Sequence, residues 1–135
     1  MTRILIVEDE AITALDLKLS LEELGYEIVD VVDNAQDAID VAFEKTPDIT
    51  IMDINLKGEE NGIYAAEKLN EFNLPVLYLT AYTDDDTFTK ALENASGYAF
   101  VSKPFDIDKI AMHIEYIVNR SKIEDTKLDL AYGFE

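Results

Sequence analysis

Four apolar runs in this chain each end on residues able to do phosphate or metal chemistry. Glu8 and Asp9 follow Arg3 to Val7, Asp53 follows Ile49 to Met52, Thr80 follows Val76 to Leu79, and Lys103 follows Tyr98 to Val101. Three carboxylates sharing one crevice repel one another unless a cation neutralises them. Mg²⁺ answers that need, because it takes oxygen ligands, keeps several waters and usually acts together with a substrate phosphate. Cysteine is absent and the single histidine, His113, lies far along the chain, so Asp53 is the available nucleophile. Thr80 and Lys103 would then bind the equatorial oxygens of a transferring phosphoryl group. Taken singly, each residue has a plainer reading: Glu8-Asp9-Glu10 as helix-capping acids, Asp53 as a loop acid, Thr80 as a strand-end hydroxyl and Lys103 as a surface charge. Only the set points to phosphoryl transfer.

The elements that must position this set alternate strand and helix. Arg3 to Val7 is apolar on both faces, as a strand covered on both sides reads. Ala11 to Leu24 follows as a helix with Ala14, Leu17, Leu21 and Leu24 on one stripe and Gly25 as its stop. Ile28 to Val32 is a second strand. Asn34, with Asp37 three residues on, caps a helix carrying Ala35, Ala38, Ile39, Ala42 and Phe43. After Thr46-Pro47 come the strand Ile49 to Met52, a loop Lys57 to Gly62 and a helix through Ile63, Ala66 and Leu69. Pro75 opens a fourth strand. A helix beginning at Asp84 to Asp86 and stopped by Gly97 presents Phe88, Ala91, Leu92 and Ala95. Tyr98 to Val101 is a fifth strand, and Asp106 leads into a last helix with Ile107, Ile110, Ile114 and Ile117 on one side. Such alternation predicts a parallel sheet with helices on both faces, whose ligand site lies beyond the carboxyl ends of the strands.

Bulk composition narrows the partners. A formal charge of −18 would repel a nucleic-acid backbone, and most of it reads as a solvated exterior. No segment has the length of a membrane span or the pattern of a secretory leader, and the lack of cysteine fits a reducing compartment, so a cytoplasmic protein is expected. Residues 1–121 are expected to form one domain, and 122–135 a C-terminal tail, helix extension or linker stub.

Four separated motifs, Ile4-Leu5-Ile6-Val7-Glu8-Asp9-Glu10, Ile51-Met52-Asp53-Ile54, Leu79-Thr80-Ala81 and Ser102-Lys103-Pro104-Phe105, occur in the order that resembles the receiver domain of two-component response regulators. The resemblance spans roughly Arg3 to Arg120. It implies a flavodoxin-like doubly wound (βα)5 three-layer sandwich with a parallel sheet of order 2-1-3-4-5. It implies that Asp53 accepts a phosphoryl group from a phosphohistidine of a histidine kinase or histidine phosphotransfer protein. Mg²⁺ would be held by Glu8, Asp9, Asp53 and the backbone carbonyl of Asn55, with Thr80 and Lys103 sensing the product. The chain would thus be a phosphoacceptor switch that assists its own phosphorylation and dephosphorylation, not an enzyme. Its output to a downstream effector protein would run through the fourth helix, fifth strand and fifth helix, with a homodimer left open.

Four positions depart from the common pattern or tune it. Phe100 stands three before Lys103, where members more often carry Tyr or Thr, so switching there would rely on ring packing. Glu8 stands where many members carry Asp, and its longer side chain would reach the metal through water. Asn55 and Tyr82, two residues beyond Asp53 and Thr80, occupy positions that tune phosphoryl lifetime in the family.

Ile12, Leu15 and Leu19 form a second stripe on the first helix, roughly opposite its core stripe. Either the last helix or the tail covers it, or it docks a helix of the histidine-containing partner. Two other functions share the architecture. A flavodoxin-like electron carrier would need a phosphate loop that Glu8-Asp9-Glu10 would repel, and an aspartate-nucleophile phosphohydrolase would need a second acid where Asn55 stands. A receiver-shaped interaction module that is never phosphorylated remains a third alternative.

Overall fold

The computed structural model describes residues 1–54, 56, 62–80, 100–102 and 104–132, with residues 63, 80, 100, 102 and 121–132 described as backbone. The strands are β1 (Arg3–Val7), β2 (Glu27–Val32), β3 (Ile49–Asp53), β4 (Val76–Thr80) and β5 (Phe100–Ser102). Between and after them run the helices α1 (Ala11–Glu23), α2 (Ala35–Lys45), α3 (Gly62–Glu71) and a C-terminal helix (Ile107–Tyr132). The five strands form one sheet in the order β2-β1-β3-β4-β5, with all four neighbouring pairs parallel. This is the doubly wound order expected above. It places every strand's carboxyl end on the same edge of the sheet.

The inner strands read as unbroken apolar runs because both of their faces are covered. Leu5, Val7, Met52, Val76 and Tyr78 point into a core with the alanines of α2 and α3, namely Ala35, Ala38, Ala42, Ala65 and Ala66. Ile4, Ile6, Ile49, Ile51, Leu77 and Leu79 point the other way, toward α1 and the C-terminal helix. Leu17 and Leu21 of α1 are fully buried there, each contributing about 1.5–3 kcal/mol relative to exposure. β2, at the sheet edge, is only half-buried from Ile28 onward.

Local signals act as read. The Asn34 side chain accepts a hydrogen bond from the Asp37 amide at 2.8 Å, capping α2. Gly25, at φ +96°, takes the left-handed turn that follows α1. Some expectations differ from the outcome. Leu24 is 49% exposed, because α1 ends at Glu23 and Leu24 is its cap, beyond the buried stripe. Phe43 is also exposed, packing edge-on against Phe72 with ring centroids 4.7 Å apart rather than entering the core. Gly62, the end of the expected loop, is also the first residue of α3. β5 is described from Phe100 to Ser102, and both the expected start of this strand at Tyr98 and the helix expected from Asp84 onward lie outside the described residues. The backbone past Arg120 continues as helix to Tyr132.

Candidate functional site

The shared carboxyl edge brings the chemical residues together by simple topology. Val7 pairs with Met52, so Glu8 and Asp9 leave β1 beside the residue that precedes Asp53. Asp53 itself pairs with Leu79, one residue before Thr80, and Thr80 pairs with Ser102 of β5. The acidic turn after β1 is tied back to the sheet, since the Glu8 amide donates to the Val32 carbonyl at 2.9 Å. The Ile54 amide donates to the Leu79 carbonyl at 3.0 Å, fixing the chain as it leaves Asp53.

One carboxylate oxygen from each of Glu8, Asp9 and Asp53 lies within 4.8 Å of the others. Glu8 and Asp53 are 2% and 3% exposed, while Asp9 is half-buried. Acidic side chains are rarely so buried unless they are paired or hold a metal. The donor set consists of hard oxygens alone, with neither sulfur nor imidazole among the three, and it keeps one ligand partly open to water. That chemistry fits Mg²⁺, which prefers a few carboxylates and retained waters over an all-protein cage. Among the described residues this is the one cluster of three or more metal-capable side chains. A cavity of about 470 Å³ lies beside it, lined in part by Glu8, Asp9, Leu15, Lys18, Val32 and Asp37.

Glu8, Asp9 and Asp53 therefore converge as expected from the sequence. Thr80 ends β4 on the same edge, with its side chain outside the described set, and Phe100 opens β5 as backbone alone. Lys103, Asn55 and Tyr82 lie outside the described residues. Ile12, Leu15 and Leu19 are 86%, 55% and 56% exposed, so the last helix does not cover them. His113 is half-buried on the C-terminal helix, away from the acids in sequence.

One residue of the site escaped sequence reading. Gly62, at the first position of α3, packs against the backbone of Asp53. A Cβ there would lie 2.9 Å from the Asp53 carbonyl carbon and 3.0 Å from the Ile54 Cα, and closer still to the Asp53 carbonyl oxygen. The Gly62 amide donates to the Ile54 carbonyl at 3.3 Å. The bare glycine thus lets α3 sit directly on the segment that carries Asp53. The available signal was a glycine at a helix start that ordinary propensity would fill with something else.

Comparison with known proteins agrees with this arrangement. The profile of the response regulator receiver domain matches residues 4–115. The chain is 37% identical over 119 residues to the transcriptional regulatory protein PdtaR of Mycobacterium tuberculosis, a match covering 87% of this chain and 57% of that one. It is 30% identical over 122 residues to the virulence transcriptional regulatory protein PhoP of Salmonella typhimurium, covering 90% of this chain and 54% of the other. Among solved structures, the receiver domain of a modulated diguanylate cyclase from Desulfovibrio desulfuricans superposes with a TM-score of 0.86 at 34% identity, covering 92% and 98% of the two chains. The N-terminal domain of a response regulator from Carboxydothermus hydrogenoformans gives 0.79 at 25% identity, covering 91% and 98%. The fold and its acidic edge are those of a signalling receiver. The chain belongs to the response regulator receiver domain family. It spans little more than half the length of the curated relatives it matches, 57% for PdtaR and 54% for PhoP. Among the described residues no helix is long and apolar enough to cross a membrane.

Proposed function

We propose that Asp53 is the phosphoacceptor of a two-component pathway, and that Glu8, Asp9, Asp53 and the Asn55 backbone carbonyl hold Mg²⁺. The observation that carries this reading is the convergence of three carboxylate oxygens within 4.8 Å at the edge where Thr80 also ends its strand. An Asp53 carboxylate oxygen attacks the phosphorus of a phosphohistidine in line. A new O–P bond forms as the P–N bond breaks, and the imidazole leaves with the electron pair and takes a proton. Mg²⁺, when bound, supplies positive charge to the phosphoryl oxygens. Glu8 and Asp9 would hold that cation at the end of β1, while the Lys103 ammonium and Thr80 hydroxyl bind phosphoryl oxygens. Thr80 then turns toward the product. The ring of Phe100 repacks in response, which alters binding of an effector protein at the fourth helix, fifth strand and fifth helix. Asn55 and Tyr82 set how quickly water reaches the aspartyl phosphate.

The phosphodonor in this reading is a histidine kinase or histidine phosphotransfer protein in the cytoplasm. The exposed stripe Ile12, Leu15 and Leu19 takes one of its helices, a reading supported by Leu15 standing both on that stripe and in the wall of the cavity beside the acids. Residues 1–121 act as the receiver unit. The test is incubation with acetyl phosphate and MgCl₂, followed by intact mass measurement. A single phosphoryl adduct is expected in wild type, dependent on Mg²⁺ and absent from Asp53→Ala. An adduct that persists in Asp53→Ala refutes the assignment.

A further inference from the structure

At the edge of the sheet opposite Asp53, two helices end on an exposed aromatic pair. Phe43, in the last turn of α2, and Phe72, just past α3, meet edge-on and are 42% and 60% exposed. The guanidinium of Arg3, which opens β1, donates from Nη1 to the Thr46 carbonyl at 3.1 Å, and Phe72 shortly precedes β4. Both rings therefore stand where strands begin, whereas Asp53 stands where one ends. Their exposure follows from the core beneath them. Ala38, Ala42, Ala65 and Ala66 fill the buried sides of the two helices, so the large side chains at the margins remain outside. Earlier on α3, the exposed ring of Tyr64 carries the Lys68 ammonium, with Nζ 5.8 Å from its centroid. A cation over an aromatic face is thus already part of this surface.

The charges around the pair specify what can cover it. At about 100° per residue, Asp40 and Glu44 fall on the solvent side of Phe43, and Glu67 and Glu71 on the solvent side of Phe72. All four are exposed. Lys68 pairs with Glu71 at 4.0 Å, and Lys45 is turned to Asp30 at 3.3 Å, so the rim stays acidic. The carboxyl ends of α2 and α3 add partial negative charge at the same place. A second copy would bring its own −18 formal charge against this rim, and nucleic acid or an anionic lipid surface would be repelled in the same way. A guanidinium group suits both features, because it can stack on an exposed ring while its fork engages a carboxylate. Aliphatic side chains next to it would cover the rest of the rings.

We propose that the Phe43–Phe72 surface docks an arginine-bearing amphipathic helix of a partner protein, laid along the seam between α2 and α3. Its aliphatic residues cover the two rings, and its arginines meet Asp40 and Glu44 on one side and Glu71 on the other. The site lies on the opposite edge of the sheet from the three carboxylates, so docking does not depend on the chemistry at Asp53.

Backbone-amide NMR of the full chain, titrated with a synthetic helical peptide of about four turns that carries arginine and leucine on one face, tests the proposal. Saturable binding is expected, with shift changes gathered toward the ends of α2 and α3. Phe72→Ser raises the Kd about tenfold or more, as does exchanging the peptide's arginines for glutamate, while circular dichroism stays that of a folded domain because the ring is exposed. Glu44→Lys and Glu22→Lys make the same change in net charge. Glu44→Lys, on the rim, weakens binding about twofold to fivefold, whereas Glu22→Lys, on α1 across the sheet, leaves it unchanged. The proposal is overturned by a lack of saturable binding, by shifts gathered on α1 or the C-terminal helix, or by equal effects of the two charge variants. A dimer of the free chain that Phe72→Ser dissolves overturns it as well, since a second copy would then occupy the surface.

Discussion

Substituting Gly62 by alanine sets two ordinary rules against each other. Helix propensity favours alanine over glycine by up to about 1 kcal/mol, so an exposed Gly→Ala change in α3 would stabilise the domain. At Gly62 the new methyl meets backbone instead of solvent, 2.9 Å from the Asp53 carbonyl carbon and 3.0 Å from the Ile54 Cα. Carbon atoms rest about 3.5–4.0 Å apart and the Asp53 carbonyl oxygen is closer still, so α3 and the end of β3 must separate by at least roughly 0.5–1 Å. Forcing a packed contact apart in this way costs about 1–3 kcal/mol. The balance is a net loss of about 0.5–2 kcal/mol, or a fall in Tm of roughly 2–8 °C for a domain of this size. The same displacement moves the segment that carries the Asp53 carboxylate, so phosphorylation by acetyl phosphate slows as well. Gly25→Ala is the control. That glycine needs its positive φ of 96° but has nothing within 4 Å of the position a Cβ would take, so alanine there lowers stability by about 1 kcal/mol and leaves phosphorylation untouched. Thermal melts and adduct formation measured on both variants separate the cases, and a Gly62→Ala protein as stable as wild type refutes the packing argument.

Three further outcomes follow from the same geometry. Saturating MgCl₂ at a hundredfold over Kd raises stability by about 2.7 kcal/mol, read as an upward shift in Tm, and Asp9→Asn removes most of that shift. Leu15→Glu slows phosphoryl transfer from a histidine phosphodonor protein while leaving phosphorylation by acetyl phosphate unchanged; equal rates from the protein donor would refute docking at this stripe. The Tyr26 hydroxyl is pushed up to about 12, first by desolvation and then by its hydrogen bond to Glu115 and the charge of that carboxylate. A tyrosine in the unfolded chain ionises near 10, so between these values the unfolded state gives up a proton that the folded state keeps. Stability is full below the lower value and falls as pH rises toward the upper. Tyr26→Phe flattens that alkaline fall in urea midpoints, and an unaltered slope counts against the linkage.

What could be read in advance was whatever a single topological fact determines. Once five parallel strands are inferred, every residue after a strand lands on one edge, and Glu8, Asp9 and Asp53 meet without any knowledge of angles or distances. Periodicity likewise located the buried residues of α1, because Ala14, Leu17 and Leu21 repeat with the helix. It did not define how wide the buried face is. Leu24 and Phe43 sit at its margins, where one residue more or less of helix, or an aromatic neighbour such as Phe72 just past α3, decides burial.

Gly62 was hidden for a different reason. Its requirement belongs to a pair of backbone segments nine residues apart, and no property of residues 58–66 alone states that a side chain there would collide with Asp53. A local reading assigns such a glycine to a turn, since turns are where glycine is common. The close approach instead makes α3 a wall directly behind the backbone of Asp53, which restrains its carbonyl. Under the proposed function, in which one added phosphoryl group moves the side chains of Thr80 and Phe100, the acceptor's own backbone needs to be held still. The absence of a side chain at Gly62 supplies that restraint, and for this reason the glycine belongs with the three carboxylates as part of the site.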